Sequence, residues 1–428
     1  MLRRECLKYE IPTVSNAACD TDKMHLSDMS RIDASARPFS EEAGRIMRVL
    51  ADTKSGMDQF STDPLLTRAL MDVDDYKCLK SHVAKTYGAQ ACTNAWLKFY
   101  EILGQFGVLE RAQKLSPGGV KMFFNAELPG AFISATNHYA YTHNIPFDWF
   151  AASLWPSKGS GALDDIYHMY KNYRHRWLMG PVINGDLTSP IEIRRLAADA
   201  LLMTVGADGL PTAYDVYTSD AGLSVDESTT TQEMADAPLH LGQCIVGLMV
   251  LKRGGSMIVK QYTFMTHFTS SLIGILANHF GRLRIVKPIS SRSANSETYL
   301  VCENYDKNVG DDTLDAMHSL LASGQCAGET PQQHKIGEGR LAPNPTLEFY
   351  DVLRPAHEAL ENAARGIFEE VQCDYIREAL RIHQELRTHG GKNSVRRRRR
   401  TPVRDAIHAY TEKNRIYELP CNAHLMLK

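Results

Sequence analysis

The chain lacks any C-x-x-C pair. Its nine cysteines are scattered over 428 residues without metal-ligand spacing, which argues against a zinc site or a disulfide framework and for reduced thiols in a reducing compartment. No apolar run approaches the about 18 residues that cross a bilayer, and MLRRECLKYEIP has no signal-peptide core, so no membrane association is expected. There is no charge excess of either sign. With formal net charge −2, any nucleic-acid contact must come from a local patch. No G-x-G-x-x-G follows the first strand-like run, which counts against a nicotinamide-dependent dehydrogenase, and no internal repeat is visible.

What is present is a change of character along the chain. Residues 1–40 read as irregular. SEEAGRIMRVL opens a helical region over 41–115, and 116–308 alternates strand-like runs with amphipathic helical ones. The runs are VKMFFN, DWFAASL, AYDVYTS, SMIVKQY, RLRIVKP and TYLVCENY. Such alternation predicts an α/β, Rossmann-like fold with a mostly parallel twisted sheet. TSPIEIRRLAADALL carries a helix start in which Ser189 caps, Pro190 is the first helical residue and Glu192 completes a capping box. The helix after it, with a kink at Pro238, is read to stop at Gly254-Gly255. Residues 309–345 read as a polar linker and 346–428 as helical. The basic run 396–400 is open to three readings: a solvated tail, a nuclear-import signal or a phosphate contact.

In an open parallel sheet, ligands meet the carboxyl ends of the strands. AYDVYTS leads into Asp220, SMIVKQY carries Lys260 near its end, and VKMFFN runs into the turn ELPGA. The short connection KPISSRSANSE makes a hairpin of the last two runs, so the final strand is antiparallel and its leading residue, Glu297, joins Asp220 and Lys260 at that edge.

KPISSRSANSETYLVC resembles the strand-loop-strand signature of the FtsJ-like ribose 2′-O-methyltransferases. ELPGAFISATNHY resembles the S-adenosylmethionine loop of their cap-specific mRNA branch, most closely the cap-2 enzymes that act on the second nucleotide. The likeness continues through GPVINGDLTS, TSDAG and GGSMIVKQYTFMTHFTSSLIGIL, about residues 91–305. The resemblance implies a catalytic tetrad of Lys98, Asp220, Lys260 and Glu297. It also implies a cofactor site at Glu127, Leu128, Pro129, Gly130, Ala131 and Phe132, with Asp186 at the adenine. The turn has Glu-Leu-Pro-Gly-Ala where many relatives carry a second glycine.

Within that resemblance, Lys260 is the general base. Burial and Lys98 would favour its neutral form, and Asp220 would oppose it. Lys287, Ser290, Ser291, Arg292 and Ser293 are donors suited to RNA phosphate and sugar oxygens. The expected partner is capped mRNA or its capped precursor, with capping-machinery or nuclear-import partners besides, in the nucleus or alternatively the cytoplasm. No metal is expected. The alternatives are methylation of the first or a later nucleotide, and a catalytically silent RNA-binding subunit of the same fold.

Overall fold

A computed structural model describes residues 5–13, 37–156, 161–206, 209–223, 229–306, 309–324, 356–388 and 400–426. The chain begins with β1 (Leu7–Ile11), then the helices α1 (Glu41–Asp58), α2 (Pro64–Val73), α3 (Leu79–Tyr87), α4 (Asn94–Phe106) and α5 (Val108–Leu115). There follow β2 (Val120–Asn125), α6 (Ala131–Thr142), β3 (Phe147–Ala152), α7 (Met169–Asn172), β4 (Trp177–Leu178), α8 (Pro190–Leu202) and β5 (Tyr214–Ser219). The rest of the sheet region is α9 (Thr229–Ala235), α10 (Ala237–Val250), β6 (Leu251–Gln261), α11 (His267–His279), β7 (Phe280–Lys287), β8 (Thr298–Tyr305) and α12 (Asp311–Ala322).

These strands form one eight-stranded sheet of order β1-β7-β8-β6-β5-β2-β3-β4. The five strands from β6 to β4 are parallel, and β8 runs antiparallel to β6. Alternate side chains of each strand feed opposite cores, as strand geometry requires. Phe123, Tyr217, Met257 and Val259 pack with helices that include α1, α8, α10 and α11. Met122, Phe124, Val216 and Ile258 pack against α4, α5 and α6 on the other face. Helices therefore cover both faces, and the open edge of chemical interest is the carboxyl end of the parallel strands.

Four local readings are corrected. Residues 1–40 are not irregular throughout: β1 pairs antiparallel with β7, Tyr9 opposite Ile285. Helix α10 ends at Val250, and Gly254-Gly255 lie inside β6. There the β5–β6 register shifts between Tyr214 and Val216, and a Cβ on Gly255 would lie 3.0 Å from the Asp215 carbonyl oxygen. Glycine marks a bulge here, a meaning it shares with helix ends. Ser189 does cap α8, but the Glu192 carboxylate accepts the Asn184 N–H at 3.2 Å and no capping box closes. Finally, the segment read as a linker contains α12, whose Met317 and Leu321 are buried. The break at Pro238 is present, separating α9 from α10.

Candidate active site

Helix α4 starts where Thr93 accepts the Trp96 N–H, and one turn on it points Lys98 at the sheet edge. The Lys98 ammonium donates to Glu297 Oε1 at 2.5 Å. Glu297 immediately precedes β8, which places it beside Tyr299 on the same edge. The Tyr299 hydroxyl donates to Glu297 Oε1 at 2.8 Å and reaches Asp220 Oδ1 at 3.1 Å. Asp220 closes the run: Lys260 Nζ donates to its backbone carbonyl at 2.7 Å and lies 3.4 Å from its Oδ1. The structure thus brings Lys98, Asp220, Lys260 and Glu297 together from α4, β6 and the ends of β5 and β8.

The electrostatics correct one expectation. Burial alone would lower the Lys260 amine, but Asp220, Tyr262 and Glu297 outweigh it and hold the amine above its ordinary value. Free of ligand, Lys260 is an ammonium. Glu297 shows the mirror image: burial would raise it, yet the cations of Lys98 and Lys260 hold it well below the carboxylate range. The Tyr299 phenol is pushed far up by burial, with Asp220 and Glu297 adding, so it stays a hydrogen-bond donor.

The turn after β2 is the second element. The Gly130 N–H donates to the Glu127 carbonyl at 2.7 Å, and Leu128 N–H reaches Ser153 Oγ at 3.3 Å, tying the turn to the end of β3. Pro129 lies between them. Gly130 has φ +104, and a Cβ there would come 2.6 Å from Met169 Cγ, so only glycine fits. Ala131 opens α6, and Glu127 Oε1 accepts the N–H groups of Phe132 and Ile133 at 2.9 and 3.0 Å. Burial pushes that carboxyl well up, the Asp220 charge adding, against those two bonds. Asp186 stands at the neighbouring strand end, because a Cβ on Gly185 would be 2.2 Å from the Ser153 carbonyl oxygen. Its Oδ1 accepts the Thr188 N–H at 2.8 Å and the Thr188 hydroxyl at 2.7 Å, and Oδ2 has no partner among the described residues.

The β7–β8 loop departs most from expectation. Lys287 is not a solvent-facing cation: it is fully buried, and its ammonium donates to Asn295 Oδ1 and the Glu297 carbonyl, each at 2.8 Å. Ser290 donates from Oγ and N–H to Glu101 Oε2 at 2.9 and 3.1 Å, and Ser291 is buried with its hydroxyl 3.3 Å from Asn295 Oδ1. These three hold the loop's shape, since a polar group taken from water is costly unless it is paired. Arg292 is exposed and Ser293 half-buried, and both line a cleft of about 610 Å³. Its walls carry Asp74, Asp75, Lys77 and Lys80, and its floor includes Leu97, the neighbour of Lys98. The basic run 396–399 lies outside the described residues, and Arg400 opens the helix Arg400–Lys413. Of the tryptophans, Trp96, Trp149 and Trp177 are core, and Trp155 is partly exposed.

Two functional residues were missed by sequence reasoning. Tyr299 bridges the carboxylates, and its signal was available as the tyrosine two residues after Glu297. Glu101, one turn after Lys98, receives Ile289 N–H at 2.7 Å as well as Ser290, and nothing in its local sequence marks it.

The FtsJ-like methyltransferase family pattern matches residues 92–305. A probable methyltransferase of African swine fever virus is 39% identical over 270 residues, which are 60% of this chain and 60% of that protein. The cap-specific mRNA (nucleoside-2′-O-)-methyltransferase 2 of Danio rerio is 33% identical over 230 residues, 53% of this chain and 30% of that protein. Its Mus musculus counterpart is 32% identical over 232 residues, covering 53% and 29% respectively. The chain thus spans 60% of the viral relative's length and about 30% of the vertebrate ones. The matched segment contains the whole run of contacts from Lys98 to Glu297, so the family pattern and the clustered side chains fall on the same stretch, and the chain belongs to the FtsJ-like methyltransferase family.

Proposed function

We propose that this chain transfers a methyl group from S-adenosylmethionine to the ribose 2′-hydroxyl of a cap-proximal nucleotide of mRNA or its capped precursor, the second transcribed nucleotide being the target. One observation carries the reading: Lys98, Glu297, Tyr299, Asp220 and Lys260 form an unbroken run of contacts at the carboxyl end of parallel strands. The printed names of the vertebrate relatives support the substrate class. Work on a capped precursor implies the nucleus, with the cytoplasm as the alternative.

The residues present fit the cofactor. Glu127 keeps a buried carboxyl at a turn where only glycine fits next to the helix start, and Asp186 keeps one oxygen without a partner among the described residues at the adjacent strand end. The turn Glu127–Phe132 would hold the methionine part and Asp186 the adenine. When bound, S-adenosylmethionine supplies an activated methyl on a cationic sulfur. The chain's own task is to remove the hydroxyl proton as the new C–O bond forms. Lys260 is its acceptor, aimed by the Asp220 carbonyl, once the proton its carboxylate neighbours favour has passed to solvent water. Lys98 pins Glu297, and Tyr299 stands between the two carboxylates with its single phenol proton within reach of either. Arg292, exposed and part of the cleft lining, offers the surface cation for RNA.

Methyl transfer from labelled cofactor to RNAs of defined cap structure, followed by nuclease mapping of the modified ribose, tests this. Label on the second transcribed nucleotide is expected. Label on the first or a later nucleotide corrects the position, and no label on any capped RNA overturns the activity.

A further inference from the structure

Asp236 occupies the break between α9 and α10. It stands at the N-cap of α10 but makes no cap bond to its own helix. Its Oδ1 instead accepts the Leu223 N–H at 2.8 Å, across the space to the turn that follows β5. That turn begins at Asp220, whose carbonyl receives the Lys260 amine at 2.7 Å. Between the two holds lies Gly222, where a Cβ would be 2.9 Å from Lys260 Cε, 3.1 Å from its Nζ and 3.0 Å from the Tyr262 hydroxyl. The turn is thus a saddle under the lysine head, gripped at one end by Lys260 and at the other by Asp236.

The surroundings of Asp236 are unusual for a core. Asp236 is fully buried, and its Oδ2 has no partner among the described residues. Four and seven residues on, along the same helix stripe, both ring nitrogens of His240 and Oε1 of Gln243 are also buried without partners among the described residues. Gln243 Nε2 meanwhile donates to the Lys260 carbonyl at 2.8 Å. Polar atoms left this way are costly, so a core would not hold them for packing alone. Burial raises the Asp236 carboxyl to about 6 with the Lys260 charge opposing, and lowers His240 to about 3 with that charge adding.

We infer that Asp236 is a positioning residue for Lys260: it latches the Asp220–Leu223 turn that aims the amine, and its buried carboxyl is a further negative group facing the lysine. The titratable groups around Lys260 are then Asp220 at the end of β5, Tyr262 after β6, Glu297 and Tyr299 at β8, Lys98 on α4 through Glu297, and Asp236 and His240 from the α9–α10 side. The latch stands on geometry alone. Its consequence for turnover rests on the reading of Lys260 as the base.

The two parts separate in Asp236→Ala and Asp236→Asn. Alanine removes the latch and the charge, and asparagine keeps an oxygen for the Leu223 N–H but loses the charge. Amide hydrogen exchange in residues 220–223, read on the full chain without ligand, should speed up in Asp236→Ala and stay near wild type in Asp236→Asn. In methyl transfer, Asp236→Ala should lower kcat by about tenfold or more with KM for RNA little changed, the scale of a misaimed base. Asp236→Asn should recover most of that kcat, while the rise of its rate with pH moves to lower pH because a negative neighbour of the ammonium is gone. Unchanged exchange and kcat in Asp236→Ala overturn the proposal. So does an asparagine variant as slow as alanine with an unmoved pH profile, since that pattern belongs to a merely structural residue. If no RNA is methylated at all, the exchange result still decides the latch.

Discussion

Replacing Tyr299 by phenylalanine removes one oxygen atom and nothing else of size. The ring is fully buried between Phe132 and the sheet, so its packing survives. The hydroxyl serves two carboxylates, at 2.8 Å to Glu297 and 3.1 Å to Asp220. The phenol has one proton to share between them, and a hydrogen bond to a charged group is worth about 1.5–3 kcal/mol. About 1.5–3 kcal/mol of site organisation is then at stake. If most of it is felt in the transition state, kcat falls by roughly 10–150-fold, at about 1.4 kcal/mol per factor of ten. The sign of the pH effect is independent of that sum. Without the phenol proton, Asp220 and Glu297 act on Lys260 as stronger anions, the lysine holds its proton more tightly, and the rise of rate with pH moves upward. Steady-state rates of Tyr299→Phe across pH, with cofactor affinity by calorimetry, read both effects. Wild-type kcat with an unmoved profile would falsify the view that Tyr299 sets the charge balance of the tetrad.

Lys260→Ala should reduce turnover by about 10²-fold or more with substrate affinities nearly intact, and Lys260→Arg should do no better, because guanidinium keeps its proton; near-wild-type turnover in the arginine variant removes the base assignment. Asp186→Ala should weaken S-adenosylmethionine binding by about 1–3 kcal/mol in calorimetry, and unchanged affinity takes Asp186 out of the site. Arg292→Ala should weaken capped-RNA binding and flatten its salt dependence; if removing residues 396–400 abolishes binding and Arg292→Ala does nothing, the RNA surface is elsewhere. Glu297 is ionised more easily in the folded chain than its ordinary value of 4.5, so its contribution to stability is present above that pH and is lost as pH falls through the lower folded value. Urea unfolding between pH 5 and 2 should therefore show a smaller loss of stability in Glu297→Gln than in wild type, and parallel curves exclude the linkage.

The parts of the site carried by strand ends were legible in the sequence because strand periodicity fixes which residues reach the edge. Asp220 and Lys260 follow from the ends of β5 and β6, and Glu297 from the hairpin that reverses β8. Tyr9 in β1 was not legible: its strand is five residues long and gains its place from pairing with β7, far along the chain. Lys287 and Glu101 show the same limit for charge. A lone lysine in a serine-rich loop reads as solvated, and only the folded chain brings Asn295 and the Glu297 carbonyl around its amine. The Glu101 carboxylate meets Ser290 across 189 positions, a distance no local pattern spans. Gly254-Gly255 failed for a different reason, since a glycine pair signals unusual backbone without saying whether a helix ends or a strand bulges.

Helix α4 carries Lys98 and Glu101 one turn apart, the first bonded to the tetrad and the second to the loop that walls the cleft. Its outer side is tied too, since the Tyr410 hydroxyl donates to the Leu97 carbonyl at 2.9 Å. The helix is therefore a lever with two loads on one rigid arm. A ligand that presses on the loop at Ser290 must move Glu101, and with it the lysine that sets the Glu297 charge.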